Sequence, residues 1–411
     1  MPHDYVDFRQ AQLLARRHLP LLPPRVLPLA QLAGLVMAQA AQAQVASPSV
    51  TACTKDGYAV RSADVQDATP QGPVVLRLVG TGQAGEPAGP RVGPGQAVRV
   101  TTGAALPPGA QAVLAREFAR QEDERVLCLA DAPPGKNVYP AGSDVAPGQV
   151  VVQAGQVVTP SLAGLLAAAG CHEAPAHPRP RVGLLATGRE VVAPGQPLPP
   201  GAVYASNLVS LAAWLSLHGL EHQTLVVDDQ AQHIAQAAQE MLAGCDALLT
   251  SGGAWLSERD LVVGTLKDLG MELIFRRVRM GPGKGVALGI LDGKPVFCLP
   301  GGPPSNEMAF LQLALPGLLA MAGHPDPGLP QRPARLAAGL TGDRDWTQFF
   351  HGRLEPGDPL PLFHPLPLAG RLKAMAGSQA IARLDQGNER LPAGAVLQVQ
   401  ALAPAWARTW P

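Results

Sequence analysis

Apolar residues follow a helical spacing at the start of the chain. Residues 1–49 are rich in Leu, Ala and Gln, and their apolar positions predict two helices, at 7–18 and 29–43. The segment Pro20-Leu-Leu-Pro-Pro24 separates the two, because proline disfavours the interior of a helix. The pattern therefore predicts a helical N-terminal region.

Short Val-rich runs between Gly and Pro turns mark two later regions. Residues 50–150 contain such runs, for example at 74–79, and residues 327–411 return to the same pattern. It is typical of small β domains. Between these regions, 149–158 predicts a strand and the Ala/Leu segment 160–170 predicts a helix.

Buried strands alternate with amphipathic helices in the middle of the chain. The predicted strands are 181–186, 223–227, 246–250, 272–278, 286–290 and 295–299, and the predicted helices are 207–217, 231–243, 260–269 and 304–322. Strands that alternate with helices imply a parallel, doubly wound sheet. The fold class predicted from pattern alone is therefore multidomain, α/β plus β.

Composition supports folded domains and excludes several classes of protein. The chain has 45 Gly and 43 Pro, which would suggest disorder, but 46% of its residues are hydrophobic and only 16% are charged. Basic and acidic residues both total 32, and this balance argues against a nucleic-acid polymer as partner. It does not exclude a small anionic ligand at a local site.

Cysteine usage and the chain start bear on location. The five cysteines form no CxxC pair and are odd in number, which argues against a disulfide framework or a zinc knuckle and favours a reducing cytoplasm. No basic segment followed by an apolar stretch opens the sequence, so no signal peptide is expected. The most apolar helix candidate, 309–323, is too short and interrupted to cross a membrane.

Small or acidic residues follow four of the predicted parallel strands. The four loops are Thr187-Gly-Arg-Glu190, Asp228-Asp229, Ser251-Gly-Gly253 and Pro300-Gly-Gly302. Ligands of open α/β sheets bind at the carboxyl ends of the strands, where glycine lets backbone N–H groups approach a phosphate. The alternative for each loop taken alone is an ordinary turn between strand and helix.

Three further segments have both a structural and a functional interpretation. Ser305 opens a predicted helix, as a cap or as part of an anion clamp. Lys284 lies in Pro282-Gly-Lys-Gly285, which is either a turn or a loop that closes on an anion. Asp228 and Asp260 lie on the same predicted edge and suit Mg²⁺ beside a phosphate, and the alternative for Asp228 is a helix cap.

An ordered set of motifs resembles one family. The matching segments are Asp56-Gly-Tyr-Ala-Val-Arg61, Thr102-Gly-Ala104, Gly142-Ser-Asp144, Thr187-Gly188 with Glu190, Asn207, Asp228-Asp229, Ser251-Gly-Gly253 with Asp260, Pro282-Gly-Lys284, and Leu299-Pro-Gly301 with Ser305. Together they resemble MoeA, the molybdopterin molybdenumtransferase, and the related E domain of gephyrin. Each motif is weak alone, whereas the ordered set is strong, and motifs and overall layout together cover about residues 1–400.

The resemblance implies a fold of four parts. A helix and strand linker domain would contain 1–49 and 149–178, and an inserted small β domain would contain 50–148. A MogA-like doubly wound α/β domain that binds molybdopterin would follow at 179–326, and a C-terminal β-barrel-like domain at 327–411. The resemblance also implies a homodimer with a composite active site.

The same resemblance implies a reaction in molybdenum cofactor biosynthesis. Molybdate would be inserted into adenylylated molybdopterin, with Mg²⁺ and with release of AMP, after an upstream molybdopterin adenylyltransferase has made the nucleotide. The implied catalytic residues are Asp56, Thr102, Asp144, Glu190, Asp228 and Asp260, with Asp228 and Asp260 on the metal. The implied pterin-nucleotide site contains Ser251, Gly252, Gly253, Lys284, Pro300, Gly301 and Ser305.

Several positions depart from the family pattern, chiefly in the part that holds the oxyanion. Gly281 stands where a basic residue is usual, His351 where an arginine follows an aromatic strand, and Ala369 or Gly370 where a serine is usual. Lys284, Arg353 and Arg371 are the molybdate-binding candidates that remain. A dianion needs such cationic donors.

Two alternatives to a molybdenumtransferase follow from these departures. One is a non-catalytic paralogue that binds molybdopterin or its nucleotide as a carrier, chaperone or scaffold. The other is a hydrolase on a MogA-like domain that acts on a different pyrophosphate. Turnover of adenylylated molybdopterin with molybdate would eliminate the carrier, and activity on dinucleotides without pterin would identify the hydrolase.

Overall fold

The computed structural model describes residues 5–252, 261–367 and 371–402. It contains two compact units. Arg25–Ala176 form one of them, called here the 25–176 unit, and the described residues before and after it form the other, called the main unit. Elements are numbered in chain order. In the described part of the chain, no helix is both long and apolar enough to cross a membrane.

The first helix forms where the apolar spacing predicts it. Strand β1 (Val6–Asp7) leads into α1 (Phe8–His18), which belongs to the main unit. Phe8, Ala11 and Ala15 lie on one face of α1 and are buried, as the spacing of three to four residues requires. The basic residues of its last turn complement the negative end of the helix dipole.

The 25–176 unit is built mainly of short strands. They are β2 (Arg25–Pro28), β3 (Val36–Met37), β4 (Ala41–Gln42), β5 (Ala52–Cys53), β6 (Gly57–Val60), β7 (Val74–Gly82), β8 (Gln96–Val100), β9 (Ala112–Ala115), β10 (Ala119–Glu122), β11 (Arg125–Cys128), β12 (Val138–Tyr139), β13 (Val150–Val152) and β14 (Glu173–His177). Six of them form one sheet in the order β10-β11-β7-β8-β6-β9. Helix α2 (Ser62–Val65) follows β6, and α3 (Pro160–Ala168) begins at a Thr159 cap.

The predicted helix at 29–43 is wrong. Leu29–Gln31 form a single 3-10 turn, Gly34 has a left-handed φ of 77°, and β3 and β4 follow. Strand β3 joins β14 and β2 in a three-stranded sheet, and the N–H of Met37 donates to the carbonyl of Gln156. Pairing with distant segments therefore overrides the helical propensity of this Leu/Ala-rich sequence.

The middle of the chain forms the predicted alternation. Its elements are β15 (Val182–Thr187), β16 (Val191–Val192), β17 (Val203–Tyr204), α4 (Ser206–Leu217), β18 (His222–Val227), α5 (Ala231–Gly244), β19 (Ala247–Ser251), α6 (Leu261–Asp268), β20 (Glu272–Arg276), β21 (Val278–Gly281), β22 (Ala287–Leu291), β23 (Lys294–Leu299), α7 (Pro303–Ala309) and α8 (Leu315–Met321). The main sheet has the order β18-β15-β19-β23-β22-β20. Its first four strands are parallel, whereas β22 runs antiparallel to both of its neighbours, β23 and β20.

Helices cover both faces of this sheet. Leu184 and Phe297 point into a core that includes residues of α1, α4, α7 and α8, whereas their neighbours Leu185 and Val296 point into a second core with α5 and α6. Alternate residues of a strand face opposite sides, so both faces are buried. The sheet is therefore doubly wound, as predicted.

Two predicted elements differ in detail. The strand expected at 272–278 ends at Arg276, because Arg277 has a left-handed φ of 61°, and β21 then pairs with β1 and with a later strand outside the main sheet. The helix expected at 304–322 has a π-helical turn at Phe310–Ala314 between α7 and α8. Pro316 has no N–H to bond back to Gln312, whose carbonyl instead lies 3.4 Å from the amide of Gln12.

The last part of the main unit is a closed β-barrel. Its elements are β24 (Gln331–Leu336), β25 (Leu340–Thr341), β26 (Thr347–Glu355), β27 (Leu362–Pro365), α9 (Arg371–Ala376), β28 (Ala380–Leu384), β29 (Arg390–Leu391) and β30 (Val396–Ala401). Strands β26, β27, β24, β30 and β28 pair in that order, and β28 pairs back with β26. Leu354, Phe363 and Val399 belong to the cluster that fills the barrel. Closure leaves these strands without a free edge.

Candidate functional site

Four strand ends meet at one edge of the main sheet. The register pairs Thr187 with Val227, and Ser251 with Leu299. The loops that follow these residues therefore lie side by side, in the order expected for a ligand site at the carboxyl ends of parallel strands. They begin at Gly188, Asp228, Gly252 and Pro300. We call this edge the strand-end rim; it confirms the predicted alignment of the four loops.

Two asparagines fasten the loops of the rim to each other. Asn306, on α7, donates to Ser251 Oγ (3.0 Å) and to the carbonyl of Pro300 (2.9 Å). Asn207, at the start of α4, donates to the same Oγ (3.3 Å) and to the carbonyl of Gly301 (2.8 Å). Ser251 Oγ therefore accepts hydrogen bonds from the first turns of two helices, α4 and α7. Together with the bonds to Pro300 and Gly301, they hold the loops after β19 and β23 against each other.

Gly252 is required by the geometry of the rim. Its φ is +110°, a conformation that residues with a side chain rarely adopt. A Cβ there would lie 2.3 Å from the carbonyl oxygen of Thr187, on the neighbouring strand. The loop after β19 therefore approaches the end of β15 at a distance that only glycine permits. The predicted site residue Gly253 lies outside the described residues.

The acidic residues of the rim are exposed. Asp228 accepts hydrogen bonds from Gln230 Nε2 (2.7 Å) and His233 Nδ1 (2.5 Å). Glu190 folds back over its own loop, where a Cβ on Gly188 would lie 3.1 Å from its Oε2. Asp228 follows β18 and Glu190 follows β15, so the two acids come from neighbouring strands. Asp260, the third acid predicted here, lies outside the described residues.

Lys284 and Ser305 share a cavity beside the rim. It has a volume of about 260 Å³ and is lined by Met280, Gly281, Pro282, Gly283, Lys284, Ser305, Asp343, Trp346 and Gln348. In the described part of the chain, the other molybdate-binding candidates do not line it. Arg353 donates through Nε to the carbonyl of Gly377 (3.2 Å), and Arg371 opens α9. The structure therefore places Lys284 beside Ser305, another predicted site residue. It places Arg353 at the end of α9, the helix that begins at Arg371.

His351 occupies an unexpected position. It is only 1% exposed, and its Nε2 lies 3.0 Å from Glu307 Oε2 on α7. His351, at the position where the resemblance predicts an arginine, is therefore buried in the core. Sequence reasoning did not pair it with Glu307, because the two are distant in the chain and histidine alone gives no signal for a buried carboxylate.

Asp56 and Thr102 meet in the 25–176 unit. Asp56 Oδ1 accepts hydrogen bonds from the backbone N–H (2.7 Å) and the hydroxyl (2.9 Å) of Thr102. These bonds favour the ionised form and lower the pKa of the Asp56 carboxyl below its ordinary value, with smaller contributions from Arg116 and Arg99. The stabilisation from ionised Asp56 is therefore present at neutral pH and is lost as the pH falls through this lowered pKa.

Removal of the Thr102 hydroxyl should raise the pKa of Asp56. We expect Thr102→Val to move it part of the way to the ordinary aspartate value, because the stronger contribution, the backbone bond, remains. Carboxyl ¹³C NMR of the full chain, assigned with Asp56→Asn, measures the shift. Thr102→Ser keeps the hydroxyl and should leave the pKa unchanged; equal titration of Asp56 in wild type and Thr102→Val would contradict the assignment.

Asp144 has different partners in the same unit. Tyr139 donates its hydroxyl to Asp144 Oδ1 (2.5 Å), which raises the pKa of the tyrosine, and Ser47 Oγ lies 3.4 Å from Oδ2. The N–H of Ala141, before Asp144, donates to Thr51 Oγ1, and Cys53 exchanges backbone hydrogen bonds with Gly103 and Ala104, beside Thr102. Segment 51–54 therefore bonds both to the loop of Asp144 and to the loop of Thr102, the partner of Asp56.

Two protein-family models match this chain. Residues 6–170 match the MoeA N-terminal region (domain I and II), and residues 183–320 match a probable molybdopterin binding domain. Molybdopterin molybdenumtransferase 2 of Mycobacterium tuberculosis is 33% identical over 384 residues, which is 92% of this chain and 94% of the relative. The chain belongs to the molybdopterin molybdenumtransferase family. This is a family of transferases of molybdenum cofactor biosynthesis.

Further relatives of the molybdenumtransferase family extend the match. The molybdopterin molybdenumtransferase of Nostoc is 30% identical over 353 residues, covering 82% of this chain and 80% of the relative. The crystal structure of a molybdopterin biosynthesis MoeA protein from Pyrococcus horikoshii superposes with a TM-score of 0.81 and 28% identity, covering 98% of this chain and all of that one. The predicted fold class, with a MogA-like α/β domain and a C-terminal β-barrel, is thereby confirmed.

Proposed function

We propose that this chain inserts molybdate into adenylylated molybdopterin and releases AMP, in a Mg²⁺-dependent reaction. The observation that carries the proposal is the strand-end rim, in which Asn207 and Asn306 fasten the loops after β19 and β23 to Ser251. Backbone donors in such loops suit the pyrophosphate of a nucleotide. The membership of the molybdenumtransferase family supplies the substrate class.

The proposed roles divide the site into a nucleotide part and an oxyanion part. Ser251, Gly252, Gly253, Pro300, Gly301 and Ser305 would hold the pterin nucleotide, and Lys284, Arg353 and Arg371 would supply cations for molybdate. Asp56, Thr102, Asp144, Glu190, Asp228 and Asp260 would orient the water that attacks phosphorus. Fixed donors at the phosphate stabilise the charge that develops there.

The acids of the rim fit Mg²⁺. Described residues hold no cluster of three acidic, histidine or cysteine side chains that could cage a metal. Mg²⁺ requires none, since one or two carboxylates and substrate phosphates commonly hold it. Each carboxylate oxygen of Asp228 accepts one hydrogen bond and keeps a further lone pair, so Asp228, with Asp260, would hold the ion. When bound, it would neutralise charge on the pyrophosphate.

We propose the remaining family properties for this chain as well. They are the four-part division of the chain, a cytoplasmic homodimer with a composite active site, and an upstream molybdopterin adenylyltransferase as the source of the nucleotide. Membership of the molybdenumtransferase family is what supports these proposals.

Turnover tests the proposed function directly. The purified protein with adenylylated molybdopterin, Mg²⁺ and molybdate should release AMP and yield a metallated pterin, and tungstate in a parallel assay identifies the preferred oxyanion. Lys284→Ala should raise the KM for molybdate at least about tenfold, because one charge-assisted hydrogen bond is lost. The exposed Lys267, on α6, provides the matched control Lys267→Ala. Absence of both products would refute the proposal.

One observation favours the non-catalytic paralogue as second candidate. His351 is buried against Glu307, at the position where the resemblance predicts an oxyanion-binding arginine. A carrier of this kind would bind adenylylated molybdopterin tightly and release no AMP with molybdate. The same assay therefore separates the two candidates.

A further inference from the structure

Three polar side chains meet in the interior of the main unit. Glu307, on α7, accepts from Trp214 Nε1 of α4 at Oε1 (3.2 Å) and from His351 Nε2 of β26 at Oε2 (3.0 Å). Glu307 is 9% exposed and His351 is 1% exposed. One buried carboxylate thus joins two helices of the α/β part to a strand of the barrel.

The hydrogen-bond pattern fixes the tautomer of His351. Its Nδ1 is buried and has no hydrogen-bond partner among the described residues. A proton on Nδ1 would therefore be an unsatisfied buried donor, which is costly. The neutral imidazole carries its single proton on Nε2 and donates it to Glu307. Glu307 then receives an N–H donor at each oxygen, as a buried carboxylate requires.

The elements joined by Glu307 are those that organise the rim. Asn306 precedes Glu307 on α7, and Asn207 opens the helix that carries Trp214. Both asparagines bind Ser251 Oγ. On the barrel side, Arg353 lies two residues after His351 on β26, and alternate residues of a strand point to the same face. The carboxylate therefore links the two helices that hold the strand-end rim to the strand that carries Arg353, a candidate oxyanion-binding arginine.

We propose that Glu307 and His351 are positioning residues that set the barrel, with its candidate oxyanion-binding cations Arg353 and Arg371, against the strand-end rim. The pair touches neither substrate and acts through α7 and β26. This inference rests on the proposed function. It predicts that loss of the pair weakens the use of molybdate and leaves binding of adenylylated molybdopterin nearly intact, because Asn207 and Asn306 still hold the rim.

Steady-state kinetics of the full chain test the inference. His351→Phe should raise the KM for molybdate at least about tenfold and change the KM for adenylylated molybdopterin less than about twofold. His351→Gln, which keeps an N–H donor for Glu307, should restore most of the wild-type KM. A double variant, Glu307→Leu with His351→Phe, fills the site with apolar groups and should fold stably, since such replacements of buried polar pairs are often neutral. Trp214 loses its acceptor in this variant, but it is half-buried, so water can compensate its Nε1–H.

The double variant separates positioning from stability. Its urea midpoint should match the wild type, while its KM for molybdate stays raised. Phe349→Leu is the structural control: Phe349 packs edge-on against Phe8 (5.2 Å between ring centroids), and its loss should lower stability without changing the ratio of the two KM values.

The outcomes distinguish this inference from the function it rests on. A double variant with the wild-type KM for molybdate, or an equal rise of both KM values in His351→Phe, overturns the positioning role alone. A wild-type protein without turnover refutes the proposed function, and the inference falls with it.

Discussion

Gly252→Ala should lower kcat/KM for AMP release at least about 100-fold, since a misplacement of about 1 Å has effects of this size. The new Cβ would lie 2.3 Å from the carbonyl oxygen of Thr187, so the loop after β19 must move away from β15. The φ of +110° adds strain on the order of 1–3 kcal/mol for a residue with a side chain. AMP release with saturating Mg²⁺ and molybdate measures the loss.

Gly302→Ala is the matched control on the same rim. Its φ of −72° suits any residue, and a Cβ there meets no atom of the described structure within 4 Å. We expect activity within about twofold of the wild type. Equal activity of Gly252→Ala and Gly302→Ala would show that the close approach at Gly252 does not shape the site.

Asn306→Asp should lower the free energy of unfolding by about 3–5 kcal/mol, as expected for a buried charge without a partner. Asn306 is 2% exposed, and its amide donates to Ser251 Oγ and to the carbonyl of Pro300. A carboxylate of nearly the same shape presents an acceptor to that carbonyl and cannot replace the donor. Urea unfolding of the full chain measures the change.

Asn207→Asp tests whether the burial of Asn306 is the cause of the stability lost in Asn306→Asp. Asn207 makes the analogous bonds to Ser251 and Gly301, but it is half-buried, so water can compensate the lost donor. Asn207→Asp should lower the free energy of unfolding by about 1 kcal/mol, the ordinary net contribution of one hydrogen bond. If both variants lose equal stability, burial of Asn306 is not what makes it important.

The architecture of the main sheet was predictable because its central strands β15, β19 and β23 are buried, largely apolar runs that are followed by small residues. Strand β15, for example, is buried along its whole length and ends at Thr187, as the run 181–186 predicts. Parallel strands buried on both faces have this pattern. The rim followed from the same argument, since parallel strands place their carboxyl ends at one edge.

Elsewhere in the chain, contacts between distant segments set the secondary structure, and the local sequence pattern did not predict it. The segment 29–43 has helical composition, yet β3 (Val36–Met37) pairs with β14 (Glu173–His177), which lies more than 130 positions later in the chain. Arg277 ends a promising strand by adopting a left-handed φ, for which arginine gives no signal. Propensity is a weak prior where tertiary pairing competes with it.

The candidate site likewise contains residues that local motifs indicate and residues that only the tertiary structure reveals. The motifs located Ser251, Gly252 and Lys284, whereas Asn306 was interpretable only as part of a helix start. Its bond to Ser251 joins residues 55 positions apart, and the Glu307–His351 pair joins residues 44 positions apart. Such pairings depend on how helices and barrel pack, which no spacing within one segment records.

The left-handed Arg277 has a consequence for dissecting this protein. Strand β21, which follows it, lies in sequence among the strands of the main sheet but hydrogen-bonds to β26 of the barrel. A fragment that ends before β24 would retain β21 without β26, leaving backbone donors and acceptors unpaired along an exposed edge. The α/β part and the barrel are thus interlaced in sequence, and truncation between them should yield an aggregation-prone piece rather than an autonomous module.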